Sequence, residues 1–215
     1  MTKEKNINPT FPTVLFDFDG TLFDTSIADL HSVKGKGLRR LSPEWVQAMK
    51  VYLDYIRKSP LYDGWCEVFD YLKANNIQTA IVSGNNRQVI NEAVKAHNLK
   101  NVFPKDRVNR IGCYDIKGRR IRKSEGDPSL FLHALKQLDV APENALAFGN
   151  QFCDAQVAAK AGIKAFHCLW GASDDEKEQM LADSEHPCIT SPLQIIDILR
   201  SEHNSQSEAT RNEKQ

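Results

Sequence analysis

Two aspartates one residue apart are the most reactive arrangement in this sequence. Asp17 and Asp19 follow the apolar residues 14–16, and Gly20 and Thr21 come directly after them. An apolar run of this kind predicts a buried parallel strand, and ligands of open α/β sheets collect where such strands end. Side chains alternate along a strand, so the two carboxylates are expected on the same face.

Carboxylates this close need a positive partner. Two like charges repel, and each raises the pKa of the other. A bound cation or a shared proton relieves the repulsion. Mg²⁺ takes oxygen ligands and leaves coordination places for phosphate oxygens, so the pair indicates a magnesium site. The alternative is that the aspartates only cap a helix and shape a turn.

The secondary-structure elements that position the two aspartates alternate between strands and helices. After the first strand, strands are predicted at residues 77–82, 145–148 and 164–168, and helices at residues 43–58, 65–75, 86–97, 128–138, 153–161, 174–183 and 192–200. This alternation predicts an α/β fold, a Rossmann-like parallel sheet with helices on both faces. Residues 102–123 are ambiguous, and Lys117-Gly118 suits a β-hairpin turn. Residues 1–12 form a polar lead-in, and the polar residues 201–215 predict a disordered tail.

Length and composition suit one domain with a modest insertion. The chain has 215 residues, 41% of them hydrophobic, and a formal net charge of zero. A net charge of zero gives no overall electrostatic attraction to nucleic acid or to a membrane surface. The sequence contains no 18-residue apolar run and no hydrophobic core of a signal peptide. Five scattered cysteines without a Cys-x-x-Cys pair predict reduced thiols and a cytoplasmic location. Nothing in the sequence predicts the oligomeric state.

The stretch Asp17-Phe18-Asp19-Gly20-Thr21 resembles the first signature motif of the haloacid dehalogenase-like hydrolase superfamily, most of whose members are Mg²⁺-dependent phosphatases. The resemblance implies that Asp17 is a nucleophile that forms an aspartyl phosphate. It implies that Asp19 protonates the leaving oxygen and then activates water, and that Thr21 contacts phosphate. The phosphoglycolate-phosphatase-like subgroup is the most similar one, on residues 17–25 and the helix that begins at Asp127.

A second motif follows the strand at residues 77–82. Ser83-Gly84-Asn85 resembles the second superfamily motif, which implies that these three residues bind the transferring phosphate. A hydroxyl and backbone N–H groups at a strand end are suited to holding phosphoryl oxygens. The alternative is a helix cap in front of residue 87.

Two further motifs depart from the family pattern. The fourth motif usually has two aspartates, and here the positions hold Asn150 and Asp154. The implied Mg²⁺ ligands are therefore Asp17, Asp19, Asn150 and Asp154, with weaker binding because asparagine brings no charge. The third motif needs a lysine, but its usual position holds Glu125. Lys123 is the preferred substitute, with Arg122 and Lys117 as rivals.

The resemblance also implies a division into domains. Residues 13–24 and 60–200 would form the Rossmann-like hydrolase core, and residues 25–59 a reduced helical cap inserted after the first strand. Caps close over substrates and exclude water. The basic loop at residues 32–40 would recruit anionic groups, or it is simply a solvated hinge.

The expected function is a Mg²⁺-dependent phosphomonoester phosphatase acting on a phosphorylated small molecule. A phosphosugar mutase would share these residues but needs a fuller cap. A dehalogenase would not need Asp19, because halide leaves without a proton. A non-catalytic binding or regulatory protein is the alternative from another class, motivated by Asn150 and the displaced lysine. The substrate itself is not predictable from the fold.

Overall fold

A six-stranded, wholly parallel sheet forms the centre of the protein. The computed structural model describes residues 12–33, 36–116 and 120–212. The strands are β1 (Thr13–Phe16), β2 (Thr79–Val82), β3 (Arg110–Ile111), β4 (Ala145–Gly149), β5 (Lys164–Cys168) and β6 (Cys188–Ile189), in the spatial order β3-β2-β1-β4-β5-β6. Because β1 lies between β2 and β4, the residues that follow these three strands meet at one edge of the sheet.

Helices cover both faces of this sheet. They are α1 (Ser26–Leu30), α2 (Pro43–Lys58), α3 (Trp65–Ala74), α4 (Arg87–Ala96), α5 (Asp106–Asn109), α6 (Ser129–Leu138), α7 (Phe152–Lys160), α8 (Asp174–Ala182) and α9 (Gln194–Asn212). One hydrophobic cluster joins the sheet to α2, α3, α4 and α9, and the other joins it to α6 and α7. The predicted Rossmann-like α/β fold is confirmed. None of the helices in the described ranges is long and apolar enough to cross a membrane.

The central strand shows why this sequence forms a buried sheet. Val14 and Phe16 belong to one hydrophobic cluster and Leu15 to the other, as the period of two along a strand requires. All three side chains are fully buried. The Phe16 ring lies edge-on to Trp65 at 5.1 Å between ring centroids. The backbone N–H of Asp17 donates to the carbonyl of Phe148 at 2.9 Å, which fixes the end of β1 beside β4.

The segment at residues 25–59 is built around α2. The Ser42 hydroxyl oxygen accepts from the backbone N–H of Trp45 at 3.2 Å and caps this helix, as its sequence predicts. Its apolar residues Met49, Tyr52, Leu53 and Ile56 join the same hydrophobic cluster as α4. The segment is therefore joined to the core by packing, and α1 adds a short helix in front of α2.

Two local expectations differ from the structure. The tail prediction is wrong for residues 201–212, because α9 continues to Asn212. Ile195 and Leu199 are fully buried and anchor the start of α9, and each further helical residue adds a hydrogen bond at little cost. The expected arms of the hairpin, residues 114–116 and 120–121, form no strand in the part of the chain that the structure describes, whereas Arg110–Ile111 forms a parallel edge strand. The supposed hairpin turn at residues 117–119 lies outside the described residues.

Candidate active site

The residues that follow β1, β2 and β4 surround a small cavity of about 180 Å³. A short 3₁₀ turn at Lys123–Glu125 closes its remaining side. The lining residues are Asp17, Asp19, Gly84, Arg120, Ile121, Arg122, Lys123, Ser124 and Gln151. The strand order therefore brings both motif aspartates and a lysine to one cavity, as the superfamily resemblance implies.

Lys123 lies between two buried carboxylates. Its Nζ contacts the Asp17 carboxylate and lies 2.6 Å from Oδ1 of Asp154. It also donates to the carbonyl of Val82 at 3.3 Å. The rival Arg122 is exposed and pairs with Glu125. Lys117, the other rival, lies outside the described residues. Lys123 is thus the candidate that the structure places against the predicted nucleophile.

The charges of this cluster shift its pKa values. Burial raises the pKa of Asp17 to about 7, assisted by the negative charges of Asp154 and Asp19 and opposed by Lys123. Burial alone would lower the pKa of Lys123, but Asp154 and Asp17 outweigh it and raise that pKa above its usual value. Lys123 therefore stays protonated. Three carboxylates against one ammonium leave a deficit of two positive charges when all are ionised, and a dication would remove it.

Asp19 is oriented by Asn85. The side-chain amide of Asn85 donates to Oδ2 of Asp19 at 2.6 Å. The hydroxyl of Tyr52, on α2, donates to the Asn85 carbonyl oxygen at 3.5 Å. In the structure the predicted phosphate ligand Asn85 thus holds the second carboxylate. Through Tyr52, the segment inserted after β1 reaches the same group.

Both polar atoms of the Asn150 side chain form hydrogen bonds to neighbouring parts of the protein. Its Oδ1 accepts from the Thr21 hydroxyl at 3.0 Å, and its Nδ2 donates to the Gly171 carbonyl at 2.9 Å. Both ends of the amide therefore tie the turn after β1 to the loop after β5. Asp154 is also partly engaged, because its Oδ2 accepts from the backbone N–H of Gln151 at 3.0 Å. Its other oxygen faces Lys123.

The predicted phosphate-binding residues have different surroundings. Gly84 lines the cavity. Thr21 is fully buried, and its carbonyl accepts from the indole N–H groups of Trp65 and Trp170 at 3.0 and 2.9 Å. Ser83 is also fully buried, and its oxygen accepts from the backbone N–H of Asn85 at 3.0 Å. Thr21 and Ser83 thus shape the turns around the cavity.

The donor chemistry of the cavity fits a hard dication. Asp17 and Asp19 bring carboxylate oxygens to a common space, and oxygen ligands together with room for substrate oxygens are what Mg²⁺ prefers. Asp154 lies behind Lys123 in the same charge cluster. Asn150 fits this role poorly in the present arrangement, because its carbonyl oxygen faces Thr21.

Comparison with known proteins shows the family of the chain. A model of the haloacid dehalogenase-like hydrolases matches residues 30–162. The chain belongs to this family. A phosphorylated carbohydrates phosphatase from Thermotoga maritima is 20% identical over 87% of this chain and 97% of its own length. A phosphoglycolate phosphatase from Aquifex aeolicus is 26% identical over 74% of this chain and 84% of its own length.

Solved structures show the same fold. A haloacid dehalogenase superfamily hydrolase from Ehrlichia chaffeensis aligns with a TM-score of 0.61 at 21% identity, covering 90% of this chain and 98% of its own. The predictions of the superfamily, of similarity to the phosphoglycolate-phosphatase-like subgroup and of a phosphatase enzyme are confirmed by these matches.

Some residues that line the cavity of this haloacid dehalogenase-like hydrolase were not predicted from its sequence. Gln151 lines the cavity beside Asn150, and its place inside the fourth motif was a usable signal. Arg120 lies in the ambiguous stretch at residues 102–123 and Ser124 directly follows it, and neither residue belongs to a motif. Tyr52 appears in the sequence only as a core position of α2, so nothing there indicates its bond to Asn85.

Proposed function

We propose that this protein is a Mg²⁺-dependent phosphomonoester phosphatase that acts through an aspartyl phosphate on Asp17. The observation that carries the proposal is the position of Lys123, whose ammonium lies between Asp17 and Asp154 at the cavity that also holds Asp19. A carboxylate nucleophile, a fixed cation and a second carboxylate are the parts that phosphoryl transfer through an enzyme-bound acyl phosphate requires.

Each residue has a defined step in this mechanism. An Asp17 oxygen attacks phosphorus, the bond to the leaving oxygen breaks, and Asp19 donates a proton to that oxygen. Asp19 then takes a proton from water, which attacks the phosphoryl group and releases phosphate and Asp17. Asn85 holds Asp19 in place for both steps. Acid–base assistance of this kind contributes roughly 10²–10⁴-fold.

Lys123 would neutralise charge on Asp17 and on the phosphoryl oxygens, and the backbone at Gly84 would border the phosphoryl group. Mg²⁺, held by Asp17 and Asp19, would supply further neutralisation of the phosphoryl oxygens when bound. Asp154 would orient Lys123 from behind. In this proposal Asn150 keeps the turn after β1 in place and contributes little to metal binding.

The proposed substrate is a phosphorylated small molecule. The two relatives described above are named as phosphatases, one of phosphorylated carbohydrates and one of phosphoglycolate. None of the five cysteines, all of which lie in the described ranges, is in a disulfide, which suits a reducing compartment, so we place the enzyme in the cytoplasm as part of the same proposal.

Hydrolysis of p-nitrophenyl phosphate with and without Mg²⁺ tests the function. We expect metal-dependent turnover that Asp17→Asn abolishes and Asp19→Asn lowers by at least about 10²-fold. Asp63→Asn, at an exposed aspartate, is the matched control and should behave as the unaltered protein. Turnover that survives in Asp17→Asn would contradict the aspartyl-phosphate mechanism.

A non-catalytic phosphate-binding protein is the second candidate. It is favoured by Asn150, which replaces the usual aspartate and bonds inward. This candidate predicts no turnover with Mg²⁺, Mn²⁺ or Co²⁺ across a panel of phosphoesters, together with calorimetric binding of the same compounds that requires Lys123.

A further inference from the structure

A larger cleft of about 720 Å³ adjoins the catalytic cavity. Gly84 and Arg120 line both spaces, so a molecule can extend from one into the other. The walls of the cleft come from α2, residues 32–33 and 37–40 before it, the start of α4, residues 113–115 and Arg120. Its volume lies within the range of small-molecule sites, roughly 300–1,000 Å³. The part of a substrate that leaves with the ester oxygen would lie here.

The acidic groups of this cleft already have partners. Asp115 pairs with Arg87 at 2.9 Å and also accepts from the backbone N–H of Gly112. Glu92 pairs with Arg57 at 2.7 Å. Each acidic side chain that lines the cleft is therefore paired with an arginine, although Arg57 also pairs with Asp54 at 2.6 Å.

Two further arginines in the cleft have a different contact. The guanidinium carbons of Arg40 and Arg120 lie 5.7 and 5.9 Å from the centre of the Tyr114 ring. Both arginines line the cleft and are exposed. A contact with a ring holds a guanidinium in place without using its N–H donors, which are suited to binding two oxygens of a phosphate or carboxylate at once.

We propose that Arg40 and Arg120, held on Tyr114, bind a second anionic group on the leaving part of the substrate. The substrate class is then a phosphomonoester that carries a further phosphate or carboxylate. This inference rests on the proposed function, and it adds the chemistry that selects among phosphoesters. Arg120 is the link, because it borders the reacting cavity and the cleft together.

Matched substrate pairs test this inference. Glucose 1,6-bisphosphate is compared with glucose 1-phosphate, and 3-phosphoglycerate with glycerol 3-phosphate, by kcat/KM at constant ionic strength. We expect the member with the second anionic group to be preferred on the order of 10-fold or more, in at least one pair. In the double variant Arg40→Gln/Arg120→Gln, that ratio should fall to near one.

Arg200→Gln is the matched control, because Arg200 also lies over a tyrosine ring, Tyr71 at 5.4 Å, but on α9 and outside both spaces. It should leave the ratio unchanged. No preference in the unaltered protein, or a preference that the double variant keeps, overturns the inference. Loss of the ratio in Arg200→Gln as well would assign the effect to general charge and also overturn it.

The two proposals fail in different ways. Turnover of p-nitrophenyl phosphate without any preference within the pairs rejects the arginine site and leaves the phosphatase standing. If no phosphoester is hydrolysed, the phosphatase proposal fails, and the same pairs are compared by calorimetric binding in Mg²⁺. Tighter binding of the doubly anionic member, lost in the double variant, would then support the arginine site, and equal binding would reject it.

Discussion

At the scale of single residues, the site depends on one buried ammonium shared by two carboxylates. Lys123, Asp17 and Asp154 are all nearly inaccessible to solvent. Removing one member of a buried charge group leaves the others uncompensated, which typically costs about 3–5 kcal/mol. Lys123 therefore has a structural role as well as the proposed catalytic one, and a test must separate the two.

Replacing Lys123 separates these roles. Lys123→Met should lower the free energy of unfolding by about 3–5 kcal/mol, because Asp17 and Asp154 then face each other without a cation. It should lower kcat/KM by at least about 10²-fold. Adding Asp154→Asn removes one negative charge and should restore part of the stability, measured by urea denaturation, but none of the activity.

The control for this series is Lys160→Met. The Lys160 ammonium is exposed and lies 3.4 Å from the carbonyl of Gly126, in the same part of the molecule. Its replacement should change the stability by less than about 0.5 kcal/mol. If the double variant is no more stable than Lys123→Met alone, the repulsion between Asp17 and Asp154 is not the cause of the instability.

The structure changes what is expected of Asn150→Asp. The sequence suggests that an aspartate here repairs the metal site, but Nδ2 of Asn150 donates to the Gly171 carbonyl. An aspartate would place a carboxylate oxygen against that carbonyl and should cost about 1–3 kcal/mol without metal. Mg²⁺ should then raise the melting temperature of the variant more than that of the unaltered protein.

Asn144→Asp, at an exposed asparagine just before β4, controls for the added charge and should be nearly neutral. If the metal-free Asn150→Asp protein is as stable as the unaltered one, the hydrogen bond to Gly171 contributes nothing to stability. The sequence could not give this result, because the partners of Asn150 lie 129 residues before it and 21 residues after it. The motifs identify the residue but not its hydrogen bonds.

At the scale of elements, the turn after β1 is held from several sides. Trp65 of α3 and Trp170 after β5 both donate to the Thr21 carbonyl. Gly171 lies so close that a Cβ added there would be 1.8 Å from the Gly20 carbonyl oxygen. The loop after β5 and the first motif therefore fit together only without a side chain at residue 171.

Gly171→Ala tests this fit. The added methyl group would push the Gly20–Thr21 turn away from β5, and overpacking of this kind typically costs about 1–3 kcal/mol. Because Asp19 directly precedes the turn, kcat should fall more than KM rises. Thermal unfolding and steady-state kinetics measure the two effects. Gly84→Ala, where an added Cβ meets nothing within 4 Å, is the stability control.

The elements differ in how well the sequence predicts them. β5 and α2 were predicted at or within one residue of their observed bounds, because their apolar spacing and the Ser42 cap are local signals. β3 and β6 have two residues each, too few to show a period, and they form by pairing with β2 and β5. The end of α9 is polar, so composition alone favours disorder.

At the scale of the whole molecule, the order of the strands places the candidate active site between the two hydrophobic clusters. Asp17 follows β1, one of the two central strands, so its position is fixed by packing on both faces. At the edge formed by β5 and β6, polar contacts connect the sheet to a helix instead. His167 of β5 and His186 before β6 donate to the same oxygen of Asp183, at 2.9 and 2.7 Å, and connect these strands to the end of α8.

This polar connection makes stability depend on pH. Burial by itself raises the pKa of Asp183, but hydrogen bonds from His167, the backbone N–H of Glu185 and His186 outweigh it and hold that pKa well below its usual range. A carboxyl with a lowered pKa in the folded state stabilises the fold above its unfolded-state pKa of about 3.9. That contribution is lost as the pH falls below this value.

Asp183→Asn should therefore be less stable than the unaltered protein at pH 7. The difference should shrink as the pH falls below about 4, because only the unaltered protein then takes up a proton at residue 183 on unfolding. Urea denaturation followed by circular dichroism between about pH 3 and 7 measures both curves. Asp174→Asn, at a fully exposed side chain, should run parallel to the unaltered protein. A stability difference for Asp183→Asn that stays constant with pH would mean that Asp183 contributes through its shape and not through its charge.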